Sequence, residues 1–455
     1  MLGKKRRQHL KVIAMKVLKF GGTSVGSAER MKQVADLVKD DSRKIVVLSA
    51  VSGTTNSLVA IGEEFSKDNK AKAREMIEAL EAKYYVITKE LYESEEFLTK
   101  GNAVVQEHFN FMKSFAVQVY NIFQERALLA QGELMSTKLF NLHLQELGLN
   151  SVLISALDTM RIDKDEEPDM EFIREHLPKE IAKYPDTSIF VTQGFVCRNC
   201  FGEIDNLKRG GSDYSASLIG NAIKATEIQI WTDIDGMHNN DPRVVENTKA
   251  IAKLSFDEAA ELAYFGAKIL HPQSIRPAKD ENIPVKLLNT LIPSAKGTTI
   301  SQETDNSGGA VKAIAAKDGI VAIKIKSGRM LLAYGFLRSV FEVFERFKTP
   351  IDMITTSEVA VSVTIDKLDY LDEIVAELEA FGIVMVDKKQ TIVCVVGNMI
   401  AEQGGMAEKI FTCLNTVPIR MISYGGSYHN VSILIDDENK NKALNALNKG
   451  LFDFA

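Results

Sequence analysis

The sequence is short of cysteine, of any large excess of one charge and of long apolar runs, and each shortage excludes a class of protein. Four cysteines in 455 residues are too few for a disulfide framework, so free thiols in a reducing cytoplasm are expected. Cys197 and Cys200 form a lone C-x-x-C in the polar stretch "CRNCFGEIDN". Without a second pair at zinc spacing, no metal site is expected there. The net charge is −6 and Lys and Arg are scattered, which argues against nucleic acid as a partner. No apolar run approaches the roughly 18 residues needed to span a bilayer, so no membrane partner is expected. Residues 1–14, within "MLGKKRRQHLKVIAM", start basic, but the apolar stretch is too short for a signal peptide. They read as a solvated extension, with Met15 an alternative start.

What remains is an ordinary globular balance, 45% hydrophobic and 25% charged, with length for about three domains. From residue 15 to 300, short apolar runs such as "KVLKF", "KIVVLSA", "SIFVTQGF" and "EIQIWTDI" alternate with amphipathic stretches such as "ERMKQVADLVKD" and "FDEAAELAYFGAKIL". The runs are rich in Val and Ile and lack polar alternation, so they read as strands buried on both faces. Strand and helix in turn predict an α/β fold, a mostly parallel sheet flanked by helices, with ligands at the carboxyl ends of the strands.

A polar linker is expected at 301–310. Beyond it "IDMITTSEVAVSVTID" (351–366) resembles "IRMISYGGSYHNVSILID" (419–436). Ile351, Met353, Ile354 and Asp366 match Ile419, Met421, Ile422 and Asp436. Helical patterns flank each copy, which predicts two tandem ferredoxin-like α+β modules, 311–388 and 389–455.

Several loops could carry chemistry. In "KFGGTSVGS" (19–27), Gly21 and Gly22 would let backbone N–H groups approach an anion, ahead of the positive end of a helix. Lys19 would aim its charge there; an ordinary turn with a solvated lysine is the alternative. In "LSAVSGTTNSL", Ser49 and Thr55 could bind a polar ligand or cap a helix. Glu133 in "QGELMST", placed at a helix start, could bind a substrate ammonium or favour the helix N-terminus. "LKRGGSDYSASL" combines the Arg209 guanidinium with Gly210, Gly211, Ser212 and the Asp213 carboxylate before a helix. "WTDIDGMHNNDPRVV" supplies Thr232, Asp233, His238 and Arg243, although its aspartates also suit turns. Lys268 and Ile269 lie in "FGAKILHP", read as a helix ending at His271-Pro272, where a snorkelling surface lysine is the plain alternative.

The ordered set "KFGGTSV", "LSAVSGTTN", "GELMST", "RGGSDY", "WTDIDG", "DPR" and "FGAKILHP" resembles the aspartokinases of the amino-acid kinase family, over nearly the whole chain from Met15. The repeat resembles their paired ACT modules, which bind amino-acid effectors. The resemblance implies transfer of the γ-phosphoryl of ATP, with Mg²⁺, to the β-carboxylate of L-aspartate, the first step toward lysine, threonine and methionine. It assigns Lys19, Asp213 and Lys268 to catalysis. Gly21, Gly22, Thr232, Asp233, His238, Arg243 and Ile269 join both lysines around ATP. Ser49, Thr55, Glu133 and Arg209 through Ser212 hold aspartate. No residue is assigned to bind a metal directly. Met330, Gly335, Phe336, Leu337, Asp352, Ser357 and Glu358 form the effector site, for lysine first and threonine second. Association of chains through the modules, at least as a homodimer, is implied too.

The chain departs from the family at Asn206 and Lys208, which replace threonine and glycine, and at His238, which replaces tyrosine. Leu332 and Ala333 stand where lysine-sensitive relatives carry histidine and serine. A non-catalytic amino-acid sensor on the same fold, or a kinase of another small amino acid, is the alternative function. A fused homoserine dehydrogenase is not expected, since the chain ends just after the second repeat.

Overall fold

The computed structural model describes residues 14–207, 210–266, 270–303, 310–328 and 334–452. The chain divides into two compact units, Met1–Gly236 with Leu270–Gln302, and Met237–Ile269 with Glu303–Ala455.

In the first unit, strands β1 (Lys16–Phe20), β2 (Lys44–Leu48), β3 (Ser151–Leu153) and β4 (Ile189–Gln193) precede a small antiparallel hairpin. The hairpin is β5 (Val196–Arg198) with β6 (Ile204–Asn206), and β7 (Glu227–Thr232) follows. β8 (Lys253–Ser255) lies in the second unit, and β9 (Val285–Asn289) and β10 (Thr298–Ser301) return to the first. The main sheet of this unit runs β3-β4-β2-β1-β7-β9-β10. Every pairing is parallel except β9 with β10. Every residue of β2 and β4 is buried, as apolar strands covered by helices on both faces require.

The register decides where a ligand can sit. Phe20 pairs with both Leu48 and Trp231, and Leu48 pairs with Gln193. The carboxyl ends of β4, β2, β1 and β7 therefore lie side by side, and their loops leave from one edge. Helices Thr54–Ser66, Lys70–Leu91, Glu95–Ser114 and Ile122–Glu146 pack beside this sheet around Leu58, Ile77, Tyr84, Phe109 and Phe140. "QGELMST" corrects one expectation, since it lies inside the helix Ile122–Glu146 rather than at a helix start. Gln131, Glu133, Ser136 and Thr137 are all buried there, so the pattern lacks the polar face that marks an exposed helix.

The second unit is built on an antiparallel sheet. Its strands are β11 (Val311–Lys326), β12 (Ile354–Thr356), β13 (Ala360–Ile365), β14 (Ile383–Gly397), β15 (Ile419–Tyr424) and β16 (Asn430–Asp436), in the order β12-β13-β11-β14-β16-β15. β11 and β14 are long enough to serve two cores. Val311 and Ile314 pack with Val393, Ile410 and Ile433, whereas Val321, Ile323 and Ile325 pack with Val340, Phe344 and Val361. The ladder between the two strands is irregular between Lys317 and Ala322, where one core gives way to the other. The division expected at 388 and 389 falls inside β14.

The segment Met237–Ile269 groups with this unit. Val245 joins the core of Val311 and Ile433, and Asn240 Nδ2 donates to Leu444 O at 3.3 Å. Glu261 accepts hydrogen bonds from Ser427 Oγ (2.7 Å) and from Asn430 Nδ2. The single helix expected through "FDEAAELAYFGAKILHP" is also corrected. A helix covers Phe256–Tyr264, Gly266 follows at φ +135°, and a new helix, Pro272–Asp280, begins where one was expected to end. His271 caps the new helix by accepting from Gln273 N, and Pro272 suits a first helical turn.

Candidate active site

A cleft of about 530 Å³ opens at the carboxyl edge of the parallel sheet. The loop after β1 contributes Gly22 and Thr23, and the loop after β2 contributes Ser49 through Gly53 with Thr55 and Asn56. Glu133 enters from the long helix, Phe195 from beyond β4, Gly211 and Ser212 from a helix start, and Thr232 and Asp233 from the end of β7. The expected residues Gly22, Ser49, Thr55, Glu133, Gly211, Ser212, Thr232 and Asp233 thus line one cavity.

Lys19 and Asp213 join at the same edge, with Lys19 Nζ 2.7 Å from Asp213 Oδ1 and both side chains largely buried. Gly21 lies under this pair, because a Cβ there would sit 3.5 Å from Lys19 Nζ. Ser49 Oγ donates to Ser212 Oγ at 2.9 Å, joining the β2 loop to the "RGGSDY" loop, and Ser136 Oγ holds Ser49 O at 2.8 Å.

Two helices point their starts into the cleft, Thr54–Ser66 and Gly211–Ile223. Each has a glycine at its N-cap in the left-handed conformation, Gly53 at φ 80° and Gly210 at φ 72°, with no side-chain cap. Thr54 N–H donates to Val51 O at 2.9 Å and Asp213 N–H to Gly210 O at 3.0 Å, and the helix dipoles favour an anion at both starts. Opposite charge comes from Glu133. Its side chain is buried, and Oε2 has no hydrogen-bond partner. Burial raises its carboxyl to about 7, while a backbone hydrogen bond from Ala50 and the charge of Lys19 favour the ionised form. The cleft therefore offers a cation to phosphate, amides to carboxylates and a carboxylate to an ammonium.

Other expected residues lie elsewhere. Arg209, Lys268, Ile269 and Met330 lie outside the described residues, as do Lys208, Leu332 and Ala333. His238 and Arg243 belong to the second unit. His238 Nδ1 is 3.1 Å from Thr248 Oγ1, and Arg243 forks onto Asp241 at 2.9 and 2.8 Å. Among the effector candidates, Gly335 at φ 85° caps the helix Phe336–Arg346, with Leu337 exposed. The Asp352 side chain is buried, whereas Ser357 and Glu358 are exposed. Sequence reasoning missed Phe195, which lines the cleft at φ 65°. Nothing in its residue type announces a left-handed backbone.

A parallel sheet that brings a lysine, glycine turns and two helix starts to one edge suits a small-molecule phosphotransferase. Residues 14–289 match the model of the amino acid kinase family, and residues 393–451 match that of an ACT domain. The chain is 34% identical to aspartokinase 2, chloroplastic, of Arabidopsis thaliana, over 96% of this chain and 84% of that protein. It is also 34% identical to the lysine-sensitive aspartokinase 3 of Escherichia coli, over 96% and 99%. The crystal structure of E. coli aspartokinase III in complex with aspartate and ADP superposes with a TM-score of 0.82 at 32% identity, covering 96% of this chain and all of that one. The chain belongs to the amino acid kinase family and, within it, to the aspartokinases.

Proposed function

We propose that this cleft transfers the γ-phosphoryl of ATP to the β-carboxylate of L-aspartate, giving 4-phospho-L-aspartate. The observation that carries the substrate is Glu133, a buried carboxylate with an unpartnered oxygen, lining the same cleft as two helix starts that lack side-chain caps. The cleft offers a carboxylate to an ammonium and helix starts to anions, as an amino acid with two carboxylates requires. The acceptor carboxylate is already ionised at neutral pH, so no general base is needed. Alignment and neutralisation of charge carry the reaction.

In this reading Lys19 and Lys268 contact the phosphates, with Gly21, Gly22, Thr232, Asp233, His238, Arg243 and Ile269 around the nucleotide. Glu133 takes the substrate ammonium and Arg209 a carboxylate, while Ser49, Thr55 and Gly210 through Ser212 complete the aspartate site. Asp213 orders the cations on the phosphate side. No group of three or more His, Cys, Asp or Glu side chains forms a metal cage among the described residues. Mg²⁺ usually arrives on one or two carboxylates together with substrate phosphates, which Asp213 and Asp233 fit. When bound, Mg²⁺ neutralises phosphoryl charge.

Feedback by an amino acid at the C-terminal modules belongs to the same reading, with lysine first because a close relative is named lysine-sensitive. So do the division into a catalytic unit to residue 300 and modules at 311–388 and 389–455, a homodimer through the modules and a cytoplasmic location. Incubation with ATP, Mg²⁺, aspartate and hydroxylamine tests the activity, since hydroxylamine traps an acyl phosphate as hydroxamate. Aspartate-dependent hydroxamate is expected. None would leave an amino-acid sensor on the same fold.

A further inference from the structure

Within the second unit, Lys317 at the β11 irregularity bridges two carboxylates. Its Nζ lies 2.7 Å from Asp352 Oδ1 and 2.9 Å from Asp366 Oδ2. Tyr264 OH donates to Asp352 Oδ1 at 2.8 Å, and the Lys317 ammonium sits 4.6 Å from the Tyr264 ring centroid. The Asp352 side chain is 1% exposed, and its Oδ2 has no hydrogen-bond partner. The cluster is thus a cation subsite of two acids and an aromatic face, with one acceptor oxygen unused.

The internal repeat shows what is particular about it. Asp352 and Asp366 match Arg420 and Asp436. In the second copy the corresponding pair neutralises itself, because Arg420 forks onto Asp436 at 3.1 and 2.9 Å. Gln390 Nε2 adds a further bond to Asp436 at 2.8 Å. In the first copy both positions are acidic, and the missing cation comes from a flexible side chain of a neighbouring strand. An ammonium ion from solution could take that place; in the second copy a covalent guanidinium already fills it.

We propose that Lys317 is a tethered competitor for the ammonium group of an amino-acid effector at Asp352, and that displacing it releases Tyr264. This rests on the reading of Asp352 as an effector residue. Tyr264 ends the helix Phe256–Tyr264 in the segment Met237–Ile269, which follows Gly236 of the first unit and precedes its Leu270. Displacement of Lys317 thus acts on a segment that is continuous in sequence with Thr232 and Asp233 of the cleft. It also makes the first copy, and not the second, the one that responds to an amine.

The test is L-lysine inhibition of the full-length enzyme. If Lys317 holds the subsite about nine-tenths of the time, Lys317→Met lowers the half-inhibitory lysine concentration about tenfold. Lys317→Arg, which keeps a tethered cation between the two carboxylates, is expected to keep the wild-type midpoint. Lys317→Gln keeps a neutral hydrogen-bond donor beside the two carboxylates if Lys317→Met folds poorly, and the same downward shift is expected. Calorimetric titration with L-lysine reads the shift without turnover. Loss of lysine inhibition in Asp352→Asn, together with an unchanged or raised midpoint in Lys317→Met and Lys317→Gln, overturns the inference and leaves the effector site standing. Retained lysine inhibition in Asp352→Asn overturns the effector reading and this inference with it.

Discussion

Lys19 Nζ rests 2.7 Å from Asp213 Oδ1, so the end of the first strand and the first turn of a helix almost two hundred residues later share one ion pair at the rim of the cleft. The pair keeps the lysine extended beside Gly21 and gives Asp213 a partner while phosphate is absent. Lys19→Met removes a preorganised charge from the place where phosphoryl charge spreads. A fall in kcat of about 10²–10³-fold is expected, by analogy with deleting one donor to a developing anion. Steady-state kinetics with ATP and aspartate decide it, and a change confined to the aspartate KM would count against the phosphate role.

Glu133 gives the cleft a pH dependence. Its carboxyl stands at about 7 in the folded chain, against 4.5 as the ordinary value, because burial penalises the charge. A carboxyl raised on folding stabilises the fold fully below about pH 4.5, and that stability is lost as pH rises to about 7. Substrate needs the ionised form. The aspartate KM is therefore expected to rise about tenfold for each pH unit below 7, with kcat less affected. Glu133→Gln should abolish saturable aspartate binding yet raise the unfolding free energy of the free enzyme at pH 8 by on the order of 2–3 kcal/mol. That gain should vanish near pH 4.5. Denaturant titration at the two pH values checks it, and a loss of stability at pH 8 would refute the assignment.

Much of this was legible in the residues. The buried strands, their order of appearance and the glycine loops at their ends predict a parallel sheet with a phosphate site, and the repeat predicts two α+β modules. What stayed hidden has physical reasons. The helix Ile122–Glu146 buries Gln131, Glu133, Ser136 and Thr137, so its polar residues face protein and the expected stripe disappears. Nothing in the composition of β11 marks the irregularity after Lys317 where it changes cores. Met237–Ile269 carries no shift in composition, so its grouping with the C-terminal unit could only come from contacts. Lys317 has the look of any strand lysine; only the fold brings two aspartates to it.

Gly210 can be tested apart from the charges. It caps the helix Gly211–Ile223 at φ 72°, and a Cβ there would lie 1.9 Å from Ser274 Oγ. Gly210→Ala meets both the left-handed backbone cost and a clash, and about 2 kcal/mol or more of destabilisation is expected. Gly211, at φ 43°, has open space for a Cβ, its nearest contact being Phe195 at 3.9 Å. Gly211→Ala should cost only the backbone term, about 1 kcal/mol. Both should raise the aspartate KM by turning the helix start. Equal stability of the two variants would contradict the packing at Ser274.

Lys44 separates the fold from the site. It is wholly buried at the start of β2, donates to Val38 O at 2.9 Å and Asp40 O at 2.7 Å, and pairs with Asp40 at 2.8 Å. These bonds close the carbonyl end of the helix Ala28–Val38, where a strand ammonium does the work of a cap. Lys44→Met fills the same volume but leaves those carbonyls without their donor. A loss of about 2 kcal/mol is expected, discounted for the exposed Asp40, whose pairing in water is worth little. Lys44 lies at the end of β2 opposite Leu48 and the cleft, so kcat and both KM values should stay within about twofold of wild type below the variant's melting temperature. A large kinetic defect in a folded Lys44→Met enzyme would mean that the far end of the sheet is coupled to the cleft.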